Sequence, residues 1–245
     1  MSHFATLLEH LPQYPYITAV IAVSADGKIA DRERAPARFS SPADRAHLER
    51  QIAAADGVLF GAGTLRAHGT TLPVRTPQLL RERERLGKPL QPVQIACSRS
   101  ADLAPDLHFF QQPVPRWLLT TVSGAAVWRD RSTAFERVLA VPRADGTGID
   151  WCRALTALAD LGLHRIAAIG GGELLAELLA CDAIAELWLT ICPLLLGGAT
   201  APTAIAGVGR IEAMAAQLDL LSVEPCDGEV FLHYRVRSDR DGSDR

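Results

Sequence analysis

Two glycine clusters, each following a short apolar run, are the residues best suited by type and spacing to bind an anion. The candidate residues are Gly61, Gly63 and Thr64 in the first cluster and Gly170, Gly171, Gly172 and Glu173 in the second. Helix N-termini present unpaired backbone N–H groups and a favourable dipole to anions, and glycine lets a phosphate approach the backbone. Together the two clusters predict one shared pyrophosphate site, although each alone is also compatible with a plain strand-to-helix turn.

Ser98 and Arg99 directly follow the apolar run 94–97. A hydroxyl and a guanidinium at the carboxyl end of a strand could hold a 2′-phosphate. Such a contact would select NADPH over NADH as the dinucleotide. A surface turn is an equally open interpretation of this pair.

Two other loops are candidates for the substrate side of the site. Ser24 and Asp26 lie in the segment 24–28, whose Asp-Gly pair signals a turn, and this loop could either simply reverse the chain or close over a ligand. Leu72 and Arg75 lie in the segment 71–75. Arg75 could grip a phosphate with two hydrogen bonds, whereas a lone surface charge is the common alternative.

Composition and spacing favour some classes of protein and disfavour others. The chain has 245 residues, 48% of them hydrophobic, and a net charge of −3, which argues against non-specific binding of nucleic acid. The seven histidines and five cysteines show no HxH, HExxH or CxxC spacing. We therefore expect no metal site and no disulfide framework, but buried reduced thiols instead.

The apolar stretches also bear on the compartment. The first residues do not have the pattern of a signal peptide, and runs such as 17–23 and 188–196 are too short to cross a bilayer. We therefore expect a cytoplasmic protein that has no membrane partner.

The order of apolar and helix-compatible segments predicts an α/β fold in three layers, with a mainly parallel sheet flanked by helices and a final strand at 228–237. In such sheets ligands bind at the carboxyl ends of the strands, where both glycine clusters fall. We expect an N-terminal segment (1–14), one domain (15–237) and a disordered tail (238–245). The alternating charges of 81–85 predict the solvated face of a helix.

Several ordered blocks resemble the riboflavin-biosynthesis pyrimidine reductases, a family that forms the C-terminal domain of a bifunctional deaminase/reductase and also occurs as stand-alone enzymes. The segment 15–30 is similar to the family's opening, and 56–66 with 72–75 are similar to its second block. Segments 169–172, 185–187 and 193–198 resemble its last block.

This resemblance implies a dihydrofolate-reductase-like fold with an antiparallel C-terminal strand, NADPH as cofactor and a homodimer. It also implies reduction of a ribosylamino-pyrimidine phosphate, a small-molecule substrate, to the ribityl compound. By position, Thr64, Ser98 and the loop 170–173 match the family's cofactor residues, and Leu72 and Arg75 match its substrate residues. Asp26 is the candidate for a catalytic polar contact near the substrate, beside Ser24.

Four positions depart from the family pattern and leave other functions open. Val20 stands where a lysine or asparagine is usual, Ile52 replaces an arginine, His68 an aspartate, and Gly170 an acidic residue. The alternatives are a related NADPH reductase with another pterin-like or carbonyl substrate, and a non-catalytic homologue that binds NADPH.

Overall fold

The fold is that of a computed structural model, which describes residues 14–36, 39–130 and 134–237. All but one residue of the expected N-terminal segment (1–14), and the whole expected tail (238–245), lie outside these ranges. The described residues build one sheet of nine strands in the order β5-β4-β3-β2-β6-β1-β7-β9-β8. The strands are β1 (Tyr16–Ser24), β2 (Gly57–Gly61), β3 (Val93–Cys97), β4 (Arg116–Thr120), β5 (Arg137–Ala140), β6 (Arg165–Ala168), β7 (Ile184–Cys192), β8 (Leu218–Cys226) and β9 (Glu229–Val236).

Six α-helices connect or follow the strands among the described residues. They are α1 (Pro42–Ala54), α2 (Ala62–His68), α3 (Pro77–Arg85), α4 (Val122–Val127), α5 (Trp151–Asp160) and α6 (Gly172–Ala180). The sheet is parallel from β5 to β7, β9 runs antiparallel to β7, and β8 runs antiparallel to β9. The predicted α/β class, with its antiparallel C-terminal strand, is therefore confirmed.

Helices cover both faces of the sheet because alternate residues of each buried strand face opposite ways. One core joins β1 and β6 to α5 and α6, whose Leu155, Leu158, Leu175 and Leu178 have no exposed surface. The second core joins β2 and β3 to α1 and α2 through residues such as Phe60 and Leu65. Three layers result, as the sequence pattern predicts.

The connections place the topological switch point, where the strand order changes direction, at the centre of the sheet. From β1 the chain moves to β2 and outward to β5, returns to β6 between β1 and β2, and then crosses to β7 on the other side of β1. The carboxyl ends of β1, β2 and β6 therefore lie next to one another. Open α/β sheets bind ligands at this kind of crevice.

Two details differ from the sequence predictions. β8 is an additional strand that the sequence analysis missed, since most of its residues are exposed and it contains Pro225. In α3 the predicted solvated face is wrong for Arg83, which is buried and donates hydrogen bonds to the carbonyl oxygens of Pro89, Ala53 and Ala55. Ala53 and Ala55 lie at the end of α1 and Pro89 lies between α3 and β3, so Arg83 joins two segments that only the tertiary fold brings together.

The expectation of buried thiols holds for two of the five cysteines. Cys97 and Cys192 are buried, Cys181 is half-buried, and Cys152 and Cys226 are exposed. Among the described residues no helix combines the length and the apolar character that crossing a membrane requires.

Candidate functional site

The two glycine clusters meet at the carboxyl edge of the sheet. The backbone N–H of Gly61 donates to the carbonyl oxygen of Gly170 at 2.9 Å. A Cβ built on Gly171 would lie 3.3 Å from Oγ1 of Thr64. The contact follows from topology, because β2 and β6 are hydrogen-bonded neighbours and each ends in one of the clusters. The fold thus brings together two turns that are far apart in the sequence.

The helices that start at these turns have no side-chain cap. Gly61 is the N-cap of α2 and Gly171 the N-cap of α6, and neither helix start receives a side-chain hydrogen bond. Of the other four α-helices, three are capped by a side-chain oxygen, from Ser41, Thr121 and Asp150, and α3 is not. The nine-residue α6 therefore presents N–H groups in its first turn that could donate hydrogen bonds to an anion such as a phosphate.

Each glycine of the triplet 170–172 has its own structural reason. Gly170 adopts φ 116°, a conformation that side chains disfavour, and it carries the carbonyl that Gly61 contacts. Gly171 lies against Thr64. A Cβ on Gly172 would come within 2.3 Å of the backbone oxygen of Thr203, so this glycine is required for packing of a neighbouring loop.

The first cluster leaves more room. A Cβ on Gly63 would have no neighbour within 4 Å, and the residue is exposed in the first turn of α2. Thr64 is half-buried beside Gly170 and Gly171. Glu173 is exposed in the first turn of α6, where its carboxylate is favourable to the helix dipole. The first turns of α2 and α6 therefore each carry an exposed residue beside the junction, Gly63 and Glu173.

Ser98 and Arg99 begin the loop after β3, the strand next to β2, at the same edge of the sheet. Ser98 is buried, and its hydroxyl oxygen accepts a hydrogen bond from the N–H of Ala101 at 2.9 Å. Arg99 is exposed, while its carbonyl oxygen accepts from the hydroxyl of Thr121 at 2.8 Å. The backbone of this turn is thus fixed and leaves the guanidinium at the surface.

Ser24 and Asp26 form a hydrogen-bonded turn at the end of β1. The hydroxyl of Ser24, a fully buried residue, donates to Oδ1 of Asp26 at 2.6 Å and accepts from the N–H of Lys28 at 2.9 Å. The Asp26 carboxylate also accepts from the N–H groups of Leu196 and Gly197, at 3.0 and 2.6 Å. These contacts join the turn after β1 to the loop after β7.

The same contacts determine the charge of Asp26. The hydrogen bond from Ser24 and those from the backbone of Leu196 and Gly197 lower the pKa of the carboxyl to about 2. Asp26 is therefore ionised at neutral pH and has no proton to donate. Its geometry is that of a residue that positions two loops.

Leu72 and Arg75 lie in the loop between α2 and α3. Leu72 is half-buried and packs against the core that includes α1 and α2. The backbone N–H groups of Arg75 and Thr76 donate to Oε1 of Glu49 at 2.6 and 2.7 Å. The Arg75 side chain is exposed, so the structure fixes the backbone of this loop and leaves the guanidinium at the surface.

A buried acidic group that the sequence analysis did not single out lies in the first turn of α1. Asp44 is 8% exposed and forms a hydrogen bond with the side chain of Thr190 on β7. Thr190 is paired with Ala22, and Ser24 is paired with Cys192, so Asp44 lies near the carboxyl ends of β7 and of β1, the strand that carries Ser24. The aspartate three residues after Ser41 at a helix start was the only sequence signal.

A second buried carboxylate accompanies Asp44. Glu229, 2% exposed, accepts hydrogen bonds from the N–H and the hydroxyl of Ser41 at 2.8 and 2.5 Å. Burial raises the pKa of Asp44, and the charge of Glu229 raises it further. Asp44 can therefore hold a proton more readily than an exposed carboxyl does.

The positions that depart from the family pattern are mostly core residues here. Val20 is 5% exposed on the face of β1 that α1 covers, and Ile52 is fully buried in α1 itself. His68 is exposed at the end of α2, where partial desolvation of its ring lowers its pKa. Polar groups on this face are instead Asp44, Thr190 and Glu229. Within the ranges that the structure describes, no group of three or more His, Cys, Asp or Glu residues could hold a metal ion.

The mainly parallel sheet with its antiparallel C-terminal strands, and with glycine junctions at its carboxyl edge, defines an α/β fold of the dihydrofolate-reductase type. A structure of dihydrofolate reductase from Enterococcus faecalis aligns with TM-score 0.52 and 14% identity, covering 92% of this chain and 99% of that chain. This likeness shows the fold alone.

The chain belongs to the family of the RibD C-terminal domain, which matches residues 15–232. A 2,5-diamino-6-ribosylamino-4(3H)-pyrimidinone 5′-phosphate reductase from Archaeoglobus fulgidus is 25% identical over 199 residues, covering 79% of this chain and 87% of the relative. The riboflavin biosynthesis protein RibD from Bacillus amyloliquefaciens is 26% identical over 195 residues, covering 80% of this chain. This chain spans 50% of that longer protein.

Among solved structures, RibD from Acinetobacter baumannii aligns with TM-score 0.74 and 18% identity. The alignment covers 92% of this chain and 59% of that one. The predicted family resemblance is therefore confirmed by sequence, and the fold by structure.

Proposed function

We propose that this protein is an NADPH-dependent reductase of a ribosylamino-pyrimidine phosphate in riboflavin biosynthesis, of the 5-amino-6-(5-phosphoribosylamino)uracil reductase type. The observation that carries the proposal is the contact between two glycine turns at one sheet edge, each starting a helix without a side-chain cap. The names of the relatives support the substrate class. The domain 15–237 would carry this activity as one unit.

The two turns would hold the pyrophosphate of NADPH between them. Gly61, Gly63 and Thr64 would contribute backbone N–H groups and one hydroxyl from the first turn. Gly170, Gly171, Gly172 and Glu173 would contribute the uncapped start of α6. In this arrangement Gly172 would act through its N–H group. The absence of a side chain at this position is already explained by the close packing of the Thr203 backbone against it.

Ser98 and Arg99 would select NADPH by binding the 2′-phosphate. The exposed guanidinium of Arg99 lies on a turn whose backbone is fixed by Thr121. An arginine on a fixed turn can form two parallel hydrogen bonds with the 2′-phosphate of NADPH. NADH has no phosphate at this position.

The substrate would lie beside the loops that carry Ser24, Leu72 and Arg75. Leu72 would contact the apolar face of the pyrimidine, and Arg75 would bind the ribose phosphate. Asp26 would act as a positioning residue, because its ionised carboxylate holds the loop 193–198 against the turn after β1.

The reaction needs a proton as well as a hydride. When bound, NADPH would supply the hydride to C1 of the ribose, opened as an imine or carbonyl. Asp44 would hold the proton on its carboxyl group, because burial raises its pKa and Thr190 fixes its orientation. Its position over the ends of β1 and β7 places it near Ser24.

Exposed apolar side chains support a homodimer. On β8, which forms one edge of the sheet, Leu218, Leu220, Leu221 and Val223 are 40% to 55% exposed. Val208, Ile211 and Met214 in the preceding segment are more exposed still. Exposed apolar side chains at a sheet edge typically contact another protein, and a second copy of the chain would cover them. We further propose a cytoplasmic location, without nucleic-acid or membrane partners.

A second candidate function is a related NADPH reductase with a different pterin-like or carbonyl substrate. The buried apolar Val20 and Ile52, together with the buried acids Asp44 and Glu229, favour it. These residues would change the polarity of the interior beside the substrate site, whereas the glycine turns are retained. A non-catalytic homologue that binds NADPH would share only those turns.

Purified protein, NADPH and 5-amino-6-(5-phosphoribosylamino)uracil, monitored through the loss of NADPH absorbance, test the proposal. We expect steady consumption of NADPH and formation of the ribityl product by mass spectrometry. Saturable NADPH binding without turnover would reject this substrate and favour the second candidate. Absence of NADPH binding would reject both reductase assignments.

A further inference from the structure

Cys152 and Cys181 are in contact although the sequence separates them by 29 residues. Their sulfur atoms are 3.1 Å apart. Cys152 lies in the first turn of α5, and Cys181 directly follows α6. Both helices pack on the same core through fully buried leucines, so the backbone holds the two thiols in place.

The two thiols differ in access to solvent. Cys152 is exposed and lines a surface depression of about 270 Å³ together with Arg153 and Tyr14. Cys181 is half-buried behind it and packs against the core. A small oxidant would therefore reach the sulfur of Cys152 first.

We propose that Cys152 and Cys181 are a redox modification site that forms a reversible intramolecular disulfide when the protein meets a peroxide. The proposal rests on the contact between the sulfurs, the rigid helices that hold them and the unequal exposure. It does not depend on the proposed function.

The chemistry follows from that order of access. The sulfur of Cys152 attacks the O–O bond of hydrogen peroxide, becomes a sulfenic acid and releases water. The sulfur of Cys181 then attacks the sulfenic sulfur, the S–S bond forms, and a second water leaves with the thiol proton. Both thiols are oxidised and the peroxide is reduced. A dithiol reductant restores the pair by exchange.

The surroundings of the pair set the protonation state of Cys181. Burial, the contact with Cys152 and the nearby carboxylates of Glu177 and Asp150 raise the pKa of Cys181 to about 12. Cys181 is therefore protonated at neutral pH and must lose its proton as it attacks the sulfenic sulfur of Cys152, because the thiolate is the nucleophile.

The disulfide would close a segment that contains α5, β6, the glycine turn and α6. Cross-links across such a segment restrict the unfolded chain, so the oxidised protein is expected to melt at a temperature roughly 5–10 °C higher than the reduced protein. Added dithiol should abolish the shift.

Mass spectrometry of the full chain after hydrogen peroxide treatment, alkylation of free thiols and proteolysis tests the proposal. We expect a Cys152–Cys181 cross-linked peptide in the wild type that disappears after dithiol treatment. The variants C152S and C181S should give no cross-link, and C181S should retain the sulfenic acid on Cys152, which dimedone traps. C226S, which removes the other exposed cysteine, should behave like the wild type.

Two results would overturn the proposal. One is that Cys152 and Cys181 both remain alkylated as free thiols while Cys226 is oxidised. The other is that oxidation of Cys152 proceeds to the sulfinic acid in the wild type without a cross-linked peptide. The peptide map of the wild type decides between these outcomes even if a serine variant folds poorly.

Discussion

Gly61 donates its backbone N–H to the carbonyl oxygen of Gly170 at 2.9 Å, which fixes the relative position of two helix starts. Without this contact the turns would be separate surface features with no common ligand. With it, the N-terminus of α6, the hydroxyl of Thr64 and the open space at Gly63 share one edge of the sheet. The proposed dinucleotide site depends on this relationship.

Removal of the Arg99 guanidinium should change the choice of cofactor. We expect Arg99→Ala to weaken NADPH binding by roughly 10- to 100-fold, since a charged hydrogen-bonded contact contributes about 1.5–3 kcal/mol. NADH binding should be unchanged. Calorimetric titration of both nucleotides measures the effect, and Arg129→Ala, another exposed arginine, is the matched control. Equal losses for NADPH and NADH would contradict the assignment of the 2′-phosphate to Arg99.

The substitution Gly172→Ala should destabilise the fold rather than only weaken binding. The added Cβ would lie 2.3 Å from the backbone oxygen of Thr203, so the loop must move. Overpacking of this kind typically costs about 1–3 kcal/mol. Urea denaturation measures the free energy of unfolding, and Gly148→Ala, whose Cβ would have only ordinary contacts, is the control. Wild-type stability in Gly172→Ala would show that the loop 203–206 does not pack as described.

Asp44→Asn should lower the catalytic activity but raise the stability of the protein at neutral pH. We expect kcat to fall roughly 100-fold, the usual contribution of a general acid, with a changed pH profile. Because the folded-state pKa of Asp44 is raised, the native protein binds more protons than the unfolded chain above the ordinary pKa of 3.8. The wild type therefore loses stability as pH rises from there through the folded-state pKa.

The asparagine variant lacks this titration, so it should be the more stable protein at neutral pH, by a few degrees in Tm. Asp106→Asn, at an exposed aspartate, should change neither property. If Asp44→Asn retains the activity and pH profile of the wild type, Asp44 is not the proton donor.

His47 should make the protein sensitive to acid. It is 5% exposed between Trp188 and Phe231, and burial, with Arg50 and His233 nearby, lowers its pKa from 6.5 to about 4. The unfolded chain binds the extra proton in this window, so stability falls as pH falls from 6.5 to about 4, by roughly 3 kcal/mol from this residue.

His47→Leu should lack that part of the acid destabilisation. Denaturation of both proteins at several pH values measures the difference in unfolding free energy, which should shift in favour of the variant as pH falls. Parallel pH curves for the two proteins would contradict a buried neutral histidine.

The sequence was sufficient for features whose signals are local. The apolar runs before Gly61 and Gly170 indicate strands, and Asp150 and Gly162 mark the ends of α5. The meeting of the two glycine clusters followed from general rules for parallel sheets. β8 was missed because most of its side chains are exposed. The alternation of apolar and polar residues that marks a half-buried strand is therefore a weak signal here.

Features that depend on distant pairs could not be predicted from spacing. Arg83 is buried only because the chain around Ala53 and Ala55 turns over it. Cys152 and Cys181 meet because two helices pack on one core, and Asp44 meets Thr190 across a strand and a helix. In each case the local sequence fits a surface position equally well, and tertiary packing decides.

The most direct test of the account is calorimetric titration of NADPH into the wild type and into Gly63→Ala. A Cβ at position 63 has open space in the protein, so the variant should keep the wild-type Tm without ligand. We predict saturable binding to the wild type and at least roughly tenfold weaker binding to the variant, because the methyl group would occupy space that the phosphate needs. No saturable binding to the wild type, or equal binding by both proteins, would contradict a dinucleotide held between the two glycine turns.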